Sequence, residues 1–302
     1  MPRLIVIYNP RSSKYASVER EVLAPARELK GWVVGKYEVK PTTVEDNATC
    51  LAKILENDDL VVVAGGDGTA SIGLNGVLLS KKKVEMGVLG YGNFNDMARM
   101  GGAKNLADIL NGESKKIYPL EIQIDGKYWR SAACYLTLGL FAESTQVFDE
   151  KKTREKLRKK GGGLIFSLWT LAKWYFVNKK RKFLPDMKID GGKLVRKTTD
   201  LMFVNSRTMA KVMKTEKGIG GTLEFLMVQG RLGNLARLCW FMLKSFIKLP
   251  GEKKKIVKIV LEKPAEIGAQ IEGEYARLKV GQEIIVKKAE QPILLRKRKG
   301  EK

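Results

Sequence analysis

The chain has 302 residues, 44% of them hydrophobic, enough for one large domain or two moderate ones with a real core. Its 56 Lys+Arg against 33 Asp+Glu give a formal charge of +23, a surface suited to polyanions such as nucleic acid, anionic lipid or nucleotide. There is no histidine, which excludes a histidine general base, a His-based triad and a His-ligated metal; chemistry falls to carboxylates, hydroxyls, lysines or a bound hard cation.

Leu4 to Tyr8 reads as a first strand and Asn9-Pro10-Arg11-Ser12-Ser13-Lys14 as its βα turn, followed by a helix to about Leu29. Trp32 to Val39 is a second strand, Pro41-Thr42-Thr43 opens the next turn, and Asp46 to Glu56 is a helix. Leu60 to Ala64, a helix from about Ala70 to Leu79, and Val84 to Leu89 continue the alternation. Strands alternating with helices predict a doubly wound α/β sheet over residues 1–117. Ligands bind such sheets beyond the carboxyl ends of the strands.

From residue 118 to 288 the pattern becomes strand after strand without regular helices between: Leu120 to Ile124, Trp129 to Gly139, Asp186 to Ile189, Asp200 to Asn205, Leu223 to Val228, Ile256 to Glu262 and Glu283 to Lys287. This predicts a second, mostly antiparallel β domain, a β-sandwich, with the last residues, about 289–302, returning to the first domain. The three cysteines, Cys50, Cys134 and Cys239, are scattered and form no CxxC, which fits a reduced cytosol with neither disulfides nor structural zinc. The opening MPRLIVIYNPRSSK lacks the pattern of a signal peptide.

Two segments interrupt the β pattern. Residues 151–182 hold twelve Lys/Arg and one acid, Glu155, around the apolar stretch LIFSLWTLAKWYFV. As a helix that stretch is about 21 Å long, too short for a hydrocarbon core of about 30 Å. The second, residues 232–249, reads LGNLARLCWFMLKSFIKL and is followed by Lys253-Lys254-Lys255. Helices of this kind suit the interface of an anionic membrane, with aromatic groups in lipid and lysines on headgroups. The alternative is that both pack on the β domain with solvated lysines. The chain is therefore expected to be cytoplasmic, peripherally membrane-associated, and without a nucleic-acid partner.

The densest chemistry lies at residues 61–69, where Val61 to Val63 runs into Gly65-Gly66-Asp67-Gly68-Thr69. The apolar run suits a buried parallel strand. The glycines let a ligand approach the main chain. An acid and a hydroxyl at the strand end suit a Mg²⁺-bound phosphate chain. The plain alternative is a glycine-rich turn after a core strand.

GGDGT resembles the signature of the superfamily that holds diacylglycerol, sphingosine and ceramide kinases and the NAD kinases. The likeness to soluble, bacterial-type diacylglycerol kinases extends over nearly the whole chain. Asn9, Pro10, Ser12, Ser13 and Lys14 match the family's NPxSGK phosphate turn, with Ser13 in place of glycine. Thr42 sits where the family has a threonine near the nucleotide. Gly90 to Arg99, GYGNFNDMAR, resembles GTGNDFAR with two residues inserted and Tyr91 for threonine, which points to Gly92 and Asn93 at the nucleotide and to Asp96 as the retained acid. Glu121 matches a family aspartate in an acid–lysine–water network around the metal, with Asp67 and Lys14.

Ile271-Glu272-Gly273-Glu274-Tyr275 resembles VDGEY, whose acidic pair supplies the family's general base. Read alone, the same residues are a β-turn with exposed acids. Gly218-Ile219-Gly220-Gly221-Thr222 stands where the family has an acidic LDDG turn, which implies loss of a second, structural Mg²⁺ site.

The resemblance thus implies an ATP- and Mg²⁺-dependent lipid kinase. Asp67, Asp96 and Glu121 would serve at the metal, and Glu272, Glu274 and Asp67 in catalysis, with a diacylglycerol-like alcohol as acceptor. Two alternatives remain open: a non-catalytic or weakly active nucleotide- or lipid-binding relative, and an NAD kinase. The oligomeric state is not legible.

Overall fold

The computed structural model of the chain describes residues 1–92, 95–149, 184–206, 208–209, 213–214, 222–229 and 251–300. The two basic aromatic segments, the Gly218 to Gly221 stretch and Asn93 lie outside the described residues.

The apolar runs near the N-terminus become parallel strands: β1 (Arg3–Tyr8), β2 (Val33–Glu38), β3 (Leu60–Gly65) and β4 (Glu85–Gly90). All six residues of β3 are buried, so this strand needs cover on both faces. Across the sheet the order is β2-β1-β3-β4-β20-β5, where β5 is Glu113–Ile117 and β20 is Ile293–Lys297. The last strand pairs parallel to β4 and antiparallel to β5. One face of the sheet buries Leu4, Val6, Val62 and Leu89 together with Val18, Val22 and Leu23.

The helix expected after β1 is divided. It runs as α1 (Tyr15–Val18), a π-helical turn (Glu19–Leu23) and α2 (Ala24–Arg27). Within it the Ala24 N–H donates to the Glu19 carbonyl, five residues back. Pro25 has no N–H to give the Glu21 carbonyl, and the helix widens just ahead of it. The next helix, α3 (Val44–Ile54), starts two residues before its expected place because the Thr43 hydroxyl caps it, accepting the Asp46 N–H at 3.1 Å. Helix α4 (Asp67–Ser80) begins inside the GGDGT motif rather than after it. Two short helices, α5 (Asp96–Gly101) and α6 (Leu106–Leu110), complete this part.

The chain divides into two units. One holds residues Met1–Glu121, Trp129–Cys134 and those from Lys288 on; the other holds Ile122–Tyr128 and Tyr135–Lys287. Within the first, Asn75 of α4 grips residue 131 in both directions: its Oδ1 accepts the Ser131 N–H at 2.8 Å and its Nδ2 donates to the Ser131 carbonyl at 3.1 Å.

The later strands are β6 (Leu120–Ile124), β7 (Lys127–Ala132), β8 (Tyr135–Gly139), β9 (Met187–Ile189), β10 (Leu194–Val195) and β11 (Thr198–Val204). A two-residue ribbon, β12 (Thr208–Met209) with β13 (Met213–Lys214), precedes β14 (Leu223–Gln229), β15 (Glu252–Lys254), β16 (Ile256–Leu261), β17 (Ala265–Ile271), β18 (Glu274–Val280) and β19 (Glu283–Lys288). They build two six-stranded sheets, in the orders β10-β9-β16-β19-β6-β7 and β15-β14-β11-β8-β17-β18. The pairings within them are antiparallel. The α/β N-terminal part and the antiparallel β-rich C-terminal part are those the sequence pattern predicts.

Residues 129–139, expected as one strand, are divided between β7 and β8 at Ala133-Cys134. A helix the pattern did not suggest, α7 (Leu140–Asp149), follows β8. Its first turn is held by Asp200, whose carboxylate accepts the Phe141 N–H at 2.6 Å and whose pKa burial pushes up to about 6. The β6–β7 turn is pinned by Asp125, whose carboxylate accepts N–H groups from Gly281, Gln282 and Glu283 at 2.7, 2.7 and 2.9 Å.

Candidate active site

In a doubly wound sheet the binding crevice lies outside the carboxyl ends of the strands, where the strand order reverses. Here β2 lies on one side of β1 and β3 on the other, so the reversal falls between β1 and β3. The turns after these two strands are Asn9 to Lys14 and Gly66 to Thr69, and the turns after β2 and β4 flank them.

The first turn is self-supporting. The Ser12 N–H donates to the Asn9 carbonyl at 3.0 Å, the Arg11 N–H to Asn9 Oδ1 at 3.0 Å, and the Lys14 N–H to Ser12 Oγ at 3.3 Å. Pro10 follows Asn9 at the bend, and the side chains of Ser13 and Lys14 are exposed. In the turn after β2, Thr42 Oγ1 accepts from Asn47 Nδ2 at 2.9 Å, leaving its own hydroxyl proton to give away. Asn47 is fully buried and also holds the Lys40 N–H and the carbonyls of Lys40 and Thr43. Sequence reading passed over Asn47; an asparagine four residues beyond a threonine cap was its signal.

The GGDGT turn meets the β4 turn backbone to backbone. A Cβ added at Gly92 would lie 2.6 Å from the Gly66 Cα, and one added at Gly66 would lie 3.1 Å from the Gly92 Cα. Only glycine permits this approach, and it leaves main-chain amides accessible where side chains would stand. Gly66 caps α4 without a side chain, so the N–H groups of Gly68 and Thr69, in the first turn of a 14-residue helix, meet no capping side chain and suit an anion. Thr69 is buried with its side chain on Gly65. Asn95, in the left-handed region at φ 54°, closes the β4 turn: its Oδ1 accepts the Gly92 N–H at 2.7 Å and its Nδ2 donates to the Gly92 carbonyl at 2.9 Å.

The Asp67 carboxylate accepts two successive main-chain donors, the N–H of Asn95 at 2.9 Å and of Asp96 at 2.8 Å. Burial nonetheless raises its pKa above the ordinary carboxylate value, against the lowering effect of those bonds and of Arg99. Each carboxylate oxygen keeps lone pairs for a further contact.

The three carboxylates expected at one metal are not brought together. Asp96 is buried and ion-paired with Arg99, with its N–H on the Asp67 carboxylate, and Glu121 lies on β6. Among the described residues no three Cys, Asp or Glu side chains form a group that could hold a metal. Asp67 is the one of the three on the glycine cradle. That cradle and one hard oxygen donor fit a Mg²⁺ ion that arrives with a phosphate chain and takes most of its ligands from it. Asp96 lies on the first turn of α5, three residues before Arg99.

In the β-rich unit, Glu272-Gly273 is the two-residue loop of the β17–β18 hairpin, with Ile271 paired to Glu274. Both loop residues have positive φ, 52° and 92°, the geometry that favours Asn-Gly. Glutamate there costs roughly 1–2 kcal/mol of backbone strain. Glu272 is also 1% exposed, so the turn with exposed acids that the bare sequence allowed is not what forms at this position. Glu274 is half-buried. A strained, buried carboxylate at a hairpin tip is better suited to function than to stability.

Residues 3–118 match the diacylglycerol kinase catalytic domain family. The diacylglycerol kinase of Bacillus subtilis is 32% identical over 146 residues, 44% of this chain and 45% of that protein. The diacylglycerol kinase of Staphylococcus carnosus is 30% identical over 160 residues, 51% of this chain and 49% of that protein. The matched segments thus span about half the length of these curated relatives. In fold the likeness runs further: a diacylglycerol kinase structure from Bacillus anthracis superposes with a TM-score of 0.65 at 19% identity, over 95% of this chain and 94% of that one.

Proposed function

We propose that this protein is a lipid kinase that moves the γ-phosphate of ATP to the hydroxyl of a lipid alcohol, diacylglycerol first among the candidates. The observation that carries this reading is the Gly66–Gly92 backbone contact beside Asp67, at the β1/β3 crevice of a catalytic-domain segment. The amides at the start of α4 bind phosphate oxygens, and the Thr42 hydroxyl and Lys14 ammonium add donors from neighbouring turns. Asp67 orients the metal side of the nucleotide, and Mg²⁺, when bound, neutralises triphosphate charge. The acceptor oxygen attacks Pγ, the bond from Pγ to the β-phosphate oxygen breaks, and ADP leaves. The acceptor's proton passes to a carboxylate, for which we assign Glu272 or Glu274.

The acceptor's class brings the protein to a membrane. We assign that contact to residues 151–182 and 232–249, and with it a cytoplasmic, membrane-peripheral location. Among the described residues no helix is long and apolar enough to cross a membrane. One observation favours a second reading, a nucleotide-binding relative without transfer activity: the lack of a carboxylate cluster among the described residues.

The test is transfer of labelled γ-phosphate from ATP·Mg²⁺ into anionic vesicles containing diacylglycerol, for wild type and Asp67→Asn. Incorporation by wild type, lost in the variant, supports the lipid kinase. ATP binding without incorporation into any of a panel of lipid alcohols supports the second reading.

A further inference from the structure

The sequence departs from its family at Tyr91, and the departure has a structural use. The Tyr91 N–H donates to the Gly65 carbonyl at 2.8 Å, which ties the β4 turn to the GGDGT turn. Its ring packs on the core under the π-helical turn. Its hydroxyl donates to Glu21 Oε2 at 3.1 Å, and Glu21 lies on that π-helical turn, in the helix that follows Asn9 to Lys14. Tyr91 therefore touches, through one residue, the elements carrying three of the glycine- and serine-rich turns. Gly92, the next residue, is the one against Gly66.

The π-helical turn gives the contact its reach. An i−5 hydrogen bond widens the helix and redirects side chains relative to an α-helix, and such bulges recur at functional sites. Arg20 pairs with Glu21 at 2.5 Å and steadies the acceptor. Burial and the Glu21 carboxylate hold the Tyr91 phenol well above its ordinary pKa, so it remains a donor at neutral pH.

We propose that Tyr91 is a positioning residue for nucleotide binding. Its hydrogen bond to Glu21 sets the separation between the turn after β1 and the paired glycine turns after β3 and β4, across which a triphosphate would lie. The inference rests on the ATP-binding reading above.

The experiment is calorimetric titration of the full chain with ATP·Mg²⁺, at a temperature where every variant is folded. Tyr91→Phe should weaken ATP about five- to tenfold, the scale of one ordinary hydrogen bond. Glu21→Ala should weaken it equally, Glu21→Gln should stay within about twofold because it keeps an acceptor, and Tyr91→Phe/Glu21→Ala should be no worse than either single variant. A merely structural role would lower the urea midpoint and leave ATP affinity at the wild-type value. That result, or losses that multiply in the double variant, overturns the proposal while the ATP-binding reading stands. Wild-type protein that takes up no ATP overturns both.

Discussion

Replacing Asn75 with leucine removes a polar link without opening a large cavity. Asn75 is buried on α4 and exchanges two hydrogen bonds with Ser131, at 2.8 and 3.1 Å, besides donating to the Ser71 carbonyl at 2.8 Å. The two bonds to Ser131 are worth about 1 kcal/mol each, and the buried N–H and carbonyl left behind lose a further 1–2 kcal/mol together, for a total of about 3 kcal/mol. Urea unfolding should show a midpoint lower by about 1 M or more, and the Ser131 amide should lose protection from hydrogen exchange. Asn75→Asp adds a pH signature. It would place a carboxylate against the carbonyls of Ser71 and Ser131, where burial and those dipoles raise its pKa above that of the unfolded chain. The destabilisation is then full at neutral pH and shrinks as pH falls toward about 4, where the unfolded carboxyl also binds its proton. A leucine variant within about 0.5 kcal/mol of wild type, or an aspartate variant with no pH dependence, would refute this account of how α4 is anchored.

Gly92→Ala should force the two glycine turns apart, since its Cβ would meet the Gly66 Cα at 2.6 Å and Asn95 Oδ1 at 2.9 Å; ATP affinity by calorimetry should fall at least about tenfold. Asp125→Ala should destabilise by about 1 kcal/mol, discounted for its exposure. Its three N–H partners lower the Asp125 pKa, so that contribution is present above the unfolded pKa and is lost in acid as pH falls through the folded value. Urea midpoints of variant and wild type should converge there. Asp200 titrates in the opposite sense: with its folded pKa pushed up to about 6, keeping it ionised costs stability from about pH 4 upward and fully above about pH 6. Asp200→Asn should therefore be more stable than wild type at neutral pH, by about 3 kcal/mol, and equal to it near pH 4.

The parallel strands were legible because runs such as Leu60-Val61-Val62-Val63 are short, β-branched and bounded by turn residues. The hairpin β17–β18 was not, because Gly268, Ala269 and Gln270 carry no clean alternation and β17 is buried almost throughout. Thus Glu272 could be picked out by its motif while its burial and left-handed backbone could not. The first helix was placed but not its π-helical turn, since the effect of Pro25 on the ladder is a matter of register. Asp96 was legible as the acid of its motif, while its ion pair with Arg99 is a contact that only the structure shows. Asn95 organises the turn after β4 through main-chain contacts that no residue pattern announces, whereas Asn47 had a signal in its place four residues beyond the Thr43 cap.

The measurement that tests the central claim most directly is identification of the phosphorylated product. Wild-type protein with ATP·Mg²⁺ would be given anionic vesicles containing diacylglycerol in one reaction and NAD in another, and each acceptor would be weighed by mass spectrometry. The account predicts a phosphorylated lipid that disappears with Gly92→Ala, and unchanged NAD. Phosphorylated NAD with unmodified lipid would contradict it.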